Sequence, residues 1–184
     1  MKFKSISAAL LFAAIQTLSH AAPAAQAAPT GAVTGDPTGL VGKTVMLPAL
    51  PKNSDSNLRT YGNDYYACGG SMVGDAKSDI SISVLRKGIK DTCGTSSGKK
   101  IVALTRHLNG NKSLEFLDAM EFTVPKTHDL VTSDCTGASM AVSKVERNSA
   151  RWTSHLQAWD IVNFKFVPVA NLKAVNCENI GYGL

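Results

Sequence analysis

The sequence predicts a domain of mostly antiparallel β-sheet with at most one helix, which places it in the all-β or the α+β class. Two observations lead to this prediction. Short apolar runs of strand length recur through the second half of the chain, and Asn109-Gly110, a strong hairpin-turn signal, separates two of them. One earlier segment, residues 79–90, fits both a strand and a helix.

The predicted strands are short and are separated by polar or glycine-containing turns. They span residues 44–47, 100–108, 114–124 with a break near Asp118, 140–145, 151–161, 164–169 and 175–177. Residues 126–137 are polar and are predicted to form a loop. No internal repeat divides this region, so a single domain is expected.

The segment 79–90 is the one place where a helix is possible. From Ile80 to Val84 apolar residues alternate with serines, which favours a strand. Ile82, Leu85 and Ile89 nevertheless lie on one stripe of a helical projection, with a serine or aspartate available as N-cap. Periodicity by itself leans towards the strand.

The N-terminus has the features of an export signal. Lys2 and Lys4 precede an apolar run, and small residues near position 21 suit cleavage there, so we expect a signal peptide at residues 1–21. The apolar run is too short to span a bilayer. Residues 22–40 are rich in Ala, Pro, Thr and Gly and are predicted to be a disordered leader. The folded domain is then residues 41–184, and its expected location is secreted, with the periplasm as an alternative.

Charge and cysteine content limit the partners and the chemistry. The whole chain carries +5, and removing the two N-terminal lysines leaves 5 − 2 = +3, which permits anionic partners without requiring them. An even number of cysteines in an exported chain predicts two disulfides, with three pairings open. The four are Cys68, Cys93, Cys135 and Cys177. Their spacing does not suit zinc, and no metal or cofactor is predicted.

Several short motifs occur in a suggestive order between residues 65 and 177. They are Tyr66-Ala67-Cys68-Gly69, His107 before an Asn-containing turn, Glu121-Phe122, Gly137-Ala138 and Thr153-Ser154-His155. In order and spacing this series resembles the secreted guanyl-specific fungal ribonucleases and the ribonuclease-like effectors of the same fold.

The resemblance implies a fold and a disulfide pairing. It implies that residues 79–90 form a helix, and hence an α+β, microbial ribonuclease-like fold with one helix packed on an antiparallel sheet. The alternative is an all-β sandwich. It also implies that Cys68 pairs with Cys177 and Cys93 with Cys135. The competing pairing, 68–93 with 135–177, would suit the all-β alternative.

The resemblance also implies a site for RNA cleavage. Such cleavage needs a base on the attacking 2′-hydroxyl, an acid on the leaving oxygen and positive charge at the phosphate. Glu121 would be the base, His155 the acid, and His107 the phosphate partner or alternative base. Binding residues would surround the turn after His107. These are Arg106, Asn109, Asn111 and Lys112.

Two departures from the family pattern leave the enzyme question open. Met140 stands where the family has a catalytic arginine, and the loss of such a contact costs roughly 3 kcal/mol of transition-state stabilisation. Lys112 replaces the acidic residue that reads guanine. We therefore expect a secreted, catalytically impaired effector, a monomer that binds single-stranded RNA or a host protein and no membrane. The alternatives are an active endoribonuclease forming 2′,3′-cyclic phosphate, and a periplasmic inhibitor or immunity protein.

Overall fold

The computed structural model describes residues 35–47, 60–62, 64–74, 77–88, 97–180 and 182. These residues form thirteen strands, a short 3₁₀ turn (Leu172–Ala174) and no α-helix, and the strands pair antiparallel in three sheets. The predicted α+β fold, with a helix packed on a ribonuclease-like sheet, is therefore wrong. The architecture is nearly all β, but its largest sheet is nearly closed, which also distinguishes it from a simple two-sheet sandwich.

The largest sheet contains the first six strands. They are β1 (Thr44–Met46), β2 (Thr60–Gly62), β3 (Tyr65–Met72), β4 (Ile80–Lys87), β5 (Gly98–Leu108) and β6 (Ser113–Val124). Their spatial order is β1-β6-β5-β4-β3-β2. The two edge strands, β1 and β2, approach each other, so the sheet curls into a barrel-like form with an inner and an outer face.

The ambiguous segment 79–90 contributes strand β4, not a helix, as far as the described residues reach. The helical stripe would have put Ile82 and Leu85 on one face. In the strand they lie on opposite faces, Ile82 in the outer core and Leu85 in the inner core, and both are buried. β-branched residues and a neighbouring strand on each side favour the extended form.

Two smaller sheets complete the fold. The four-stranded sheet contains β7 (His128–Val131), β9 (Met140–Lys144), β11 (His155–Val162) and β12 (Lys165–Pro168), in the order β12-β11-β9-β7. The three-stranded sheet contains β8 (Cys135–Thr136), β10 (Arg151–Trp152) and β13 (Asn176–Glu178), in the order β10-β13-β8. Strands β7 and β8 lie in the predicted polar loop 126–137, where the apolar pattern is too short to identify a strand.

Three apolar clusters hold the sheets together. The first lies inside the curl of the large sheet and includes Phe116 and Leu85. The second joins the outer face of that sheet to the four-stranded sheet, with Phe122 against Trp159 at 4.9 Å between ring centroids. The third lies between the two smaller sheets, around Trp152. Strand β5 is therefore buried on both faces at its centre.

The inner cluster is closed at one end by residues that precede β1. Leu40 is 3% exposed and packs inside the curl. Asp36 accepts hydrogen bonds from the backbone N–H groups of Thr38 and Val41, both at 2.9 Å, and Tyr65 Oη donates to Pro37 O at 2.7 Å. The predicted disordered leader 22–40 is thus ordered from residue 35 onwards. The predicted signal peptide and residues 22–34 lie outside the described residues.

The disulfide pairing differs from the one implied by the ribonuclease resemblance. Cys135 is bonded to Cys177, its direct cross-strand neighbour between β8 and β13. Cys68 lies in β3, in a different sheet, and is also disulfide-bonded, whereas Cys93 lies outside the described residues. The disulfide is compatible with an extracellular location. Among the described residues no helix is long and apolar enough to cross a membrane.

The hairpin predicted at Asn109-Gly110 is confirmed. It joins β5 to β6, and both turn residues have positive φ angles, 54° and 65°. The predicted break near Asp118 is also confirmed as a bulge, because Leu104 faces Asp118 while Thr105 faces Phe116. These two features set which side chains of β5 and β6 face the inside of the curl.

Candidate functional sites

The three residues proposed for RNA cleavage do not converge. Glu121 lies opposite Ile101 on β5, whereas His107 lies six residues further along that strand, opposite Leu114. At the rise of a β-strand, six residues correspond to roughly 20 Å. His107 and Glu121 therefore lie at opposite ends of the curled sheet, too far apart to act on one phosphate.

His155 lies in the four-stranded sheet and is held by structural hydrogen bonds. Its Nε2 donates to Val175 O at 3.0 Å, so its Nδ1 accepts from Ser143 Oγ at 2.9 Å. Both ring nitrogens are occupied, and β11 is not paired with β5 or β6. Met140, at the position of the family's arginine, is fully buried in the core. His155 therefore connects β11 to β9, through Ser143, and to the residue before β13, Val175.

The predicted binding residues cluster around the β5–β6 turn, at the same end of the sheet as His107. Arg106 forms an ion pair with Glu115 at 3.1 Å, and its guanidinium lies 4.6 Å from the centre of the Phe164 ring. Asn109 and Asn111 have positive φ angles and shape the turn. Lys112 is exposed beside them. The turn is thus built largely by local contacts.

The opposite end of β3, β4 and β5 carries two rows of cations and tyrosines, here called the cationic end. The first row runs across the three strands on the outer face, from Tyr66 to Arg86 and then to Lys100. Arg86 faces Tyr66 directly, with its guanidinium carbon 5.4 Å from the ring centre. Lys100 lies beside Arg86 on the side away from Tyr66. The antiparallel pairing of Leu85 with Ile101 places the next residue of β4, Arg86, opposite Lys100.

The second row of the cationic end lies one residue further along the strands, on the inner face. Tyr65 faces Lys87, whose ammonium nitrogen lies 5.9 Å from the ring centre. Lys99 follows on β5 and forms an ion pair with Glu121 at 2.8 Å. Burial raises the pKa of Tyr65, and the negative charges of Glu121 and Asp36 raise it further. The phenol therefore stays neutral and keeps its bond to Pro37.

At the other end of these strands, described residues without Lys, Arg, Asp or Glu line an opening, here called the His107 cleft. Its volume is about 350 Å³, and Tyr61, Gly70, Met72, Ser81, Ser83 and His107 line it with their neighbours. Its floor is a chain of polar groups. Ser81 Oγ lies 2.8 Å from Thr105 Oγ1 and 3.1 Å from His107 Nε2. His107 Nδ1 is buried and forms no hydrogen bond with the described residues.

Sequence reasoning found His107 and missed the cationic end. The signal was present as two basic dipeptides, Arg86-Lys87 and Lys99-Lys100, together with Tyr65-Tyr66. Three such pairs are ordinary in any sequence, and only the strand register shows that they meet. Residue pairs that are far apart in sequence become neighbours because β3, β4 and β5 are consecutive antiparallel strands.

Among the residues that the structure describes, no group of three or more His, Cys, Asp or Glu side chains could hold a metal ion. Comparisons with protein-family models, with curated proteins and with solved structures find no match to this chain.

Proposed function

We propose that this chain is an exported protein that binds single-stranded RNA through the cationic end, without cleaving it. The observation that carries the proposal is the pair of cross-strand rows, which place the partly exposed ring of Tyr66 beside Arg86 and Lys100 and bring Lys87 and Lys99 to the same end of the strands. Surfaces that bind single strands combine cations for the phosphates with aromatic rings on which bases stack.

Charge at this end favours an anionic partner. Among the described residues the four cations outnumber the neighbouring carboxylates, which belong to Asp36, Asp64 and Glu121. Glu121 is already engaged by Lys99, whose side chain is nevertheless 69% exposed and remains open to a phosphate. The exported chain as a whole is also positive, so long-range attraction adds to the local contacts.

The ring of Tyr66 gives the site a preference for unpaired bases. It is partly exposed, and Arg86 lies over it at a distance typical of a cation–π contact. A guanidinium plane and an aromatic ring are both surfaces on which a base can stack, whereas the bases of a duplex are already stacked on each other. The site therefore suits a single strand better than a double helix.

A salt-dependent binding assay tests this function. We expect the exported chain to bind a fluorescein-labelled, unstructured RNA oligonucleotide, with an affinity that falls steeply as salt rises. In the double variant Arg86→Gln/Lys100→Gln, the slope of log affinity against log salt should become shallower by about 1.4, because each lost phosphate contact contributes about 0.7. Tyr66→Ala should weaken binding by about 1–3 kcal/mol, and Tyr66→Phe should not.

The matched control removes the same charge from the far side of the molecule. Arg147 and Lys173 are exposed and belong to the part of the chain around the three-stranded sheet. Arg147→Gln/Lys173→Gln should leave the salt slope unchanged. Equal losses in both double variants would show that net charge alone attracts the RNA, and would overturn the assignment to the cationic end.

A further inference from the structure

We infer that Asn111 is an acceptor for an N-linked glycan, attached before the hairpin of β5 and β6 closes. The donor is an oligosaccharide carried on a polyprenyl diphosphate. A bond forms between the side-chain nitrogen of Asn111 and the anomeric carbon of the sugar, and that nitrogen loses one proton. The bond from the same carbon to the diphosphate oxygen breaks, and its electron pair leaves with the diphosphate. The inference rests on the export proposed above and is independent of RNA binding.

The sequence contains one acceptor site of the type Asn-x-Ser or Asn-x-Thr. In Asn111-Lys112-Ser113 the middle residue is not proline and the third carries a hydroxyl, and no other asparagine has Ser or Thr two residues further on. The predicted signal peptide would bring this site into the secretory compartment, where such sites are modified. The sequence therefore predicts no more than one N-linked glycan per chain.

The two asparagines of the β5–β6 turn have different surroundings. Asn109 Nδ2 donates to Ser113 Oγ at 3.1 Å, so this side chain helps to close the turn. Asn111 is exposed, and its side chain forms no hydrogen bond with the residues that the structure describes. The backbone beside it is held in place, because the N–H of Lys112 donates to Leu108 O at 3.2 Å. The amide of Asn111 is thus free to carry a bulky group without disturbing the turn.

Ser113, the hydroxyl residue of the acceptor site, is hidden in the folded chain. It is 0% exposed, and it pairs with Leu108 on β5 and with Met46 on β1. Its hydroxyl already accepts the hydrogen bond from Asn109. A transferase that recognises this hydroxyl can therefore bind the site only while β6 is not yet docked. The glycan must then be added during export, before the large sheet is complete.

A glycan at Asn111 leaves the cationic end uncovered. Lys100 and Leu108 are eight residues apart on β5, which corresponds to roughly 26 Å at the rise of a strand. The turn that carries Asn111 follows Leu108 and lies still further from the cationic end. A bulky, hydrated group is tolerated at this exposed turn, because it displaces no packed side chain. We therefore expect the same RNA affinity for the glycosylated and the unmodified protein.

The intact mass of the secreted protein tests the inference. The full chain, with its own N-terminal segment, would be expressed in a eukaryotic secretion host, and its mass measured before and after peptide-N-glycosidase treatment in heavy-oxygen water. The enzyme converts a glycosylated asparagine to a heavy-oxygen aspartate, and we expect this label at Asn111 alone. Secreted protein without an N-linked glycan would overturn the inference and leave RNA binding untouched. Failure of secretion would overturn it together with the proposed export.

Matched variants and a folding control test the site and the timing. Asn111→Asp and Ser113→Ala each remove the acceptor site and should abolish the glycan, whereas Asn109→Gln, in the same turn, should keep it. Unmodified chain made in bacteria would also be given to a purified transferase with its lipid-linked donor. The reduced and alkylated chain should be modified, and the folded chain at least about tenfold less, because Ser113 is accessible only when the hairpin opens. Equal transfer to both forms would overturn attachment before folding.

Discussion

The two ends of strands β4 and β5 differ in chemistry although they belong to the same sheet. At one end Arg86 and Lys100 form a half-buried, positively charged row with Tyr66. At the other end Ser81 and His107 form an uncharged, mostly buried network around a cleft. The difference shows that one long antiparallel strand can carry unlike chemistry at its two ends, because its length keeps the residues of the two ends apart.

The inner apolar cluster is what separates the two ends. Leu40, Leu85 and Phe116 fill the curl between the cationic end and the His107 cleft. Phe116 is fully buried and packs its ring against the edge of Tyr61, which lines the cleft, with centroids 5.8 Å apart. Packed side chains therefore separate the inner-face residues of the cationic end from the His107 cleft.

The largest expected effect is the loss of stability when a cavity is created in the inner apolar cluster. Phe116→Ala should lower the free energy of unfolding by about 3–5 kcal/mol, since it removes a buried ring and leaves a cavity. Urea denaturation measures this change. Phe164→Ala, at an exposed hairpin tip, is the matched control and should cost far less. A small effect at Phe116 would mean that the two ends are not separated by a tightly packed core.

A smaller loss of stability is expected at low pH, where Asp36 becomes protonated in the segment that closes the cationic end. Burial raises the pKa of Asp36, but hydrogen bonds from Thr38, Val41 and Gly39 outweigh it, so the folded-state pKa lies below 3.8. Because the folded pKa is the lower one, the stabilisation is present above pH 3.8 and is lost as pH falls through the folded value.

The acid effect can be measured with a single substitution. Between about pH 5 and pH 2 the stability of the unmodified protein should decline more than that of Asp36→Asn, which has no carboxylate to protonate. Urea midpoints across this range provide the comparison. Parallel declines in the two proteins would show that Asp36 does not secure the segment, and would leave the closure of the cationic end to Leu40 and the Tyr65–Pro37 hydrogen bond.

Local sequence signals predicted the hairpins but not the way the strands are assembled. The turn at Asn109-Gly110 and the bulge near Asp118 follow from residue types at single positions. The helix expected at residues 79–90 was wrong because it rested on the family resemblance. The alternation of apolar residues and serines from Ile80 to Val84 had correctly indicated a strand. The Cys135–Cys177 pairing depends on β8 and β13 being neighbours, and four cysteines allow three pairings that sequence spacing cannot separate.

The candidate sites were predictable to a still smaller extent. His107 was singled out for a turn beside it, yet its partners, Ser81 and Thr105, come from the register of β4 against β5. Glu121 and His155 aligned with a catalytic pattern but fold into different sheets. The cationic end requires the registers of three strands together, and nothing local to any one of its residues specifies them.

The position of bound RNA is the most direct test of the difference between the two ends. A single-stranded RNA containing 4-thiouridine would be photo-crosslinked to the chain from residue 22 onwards, and the modified peptides identified by mass spectrometry. We expect crosslinks at Tyr66, whose ring is partly exposed, and in the peptides that contain Arg86 and Lys100. Crosslinks at Asn109–Lys112 or around His107, with none at the cationic end, would contradict the proposal.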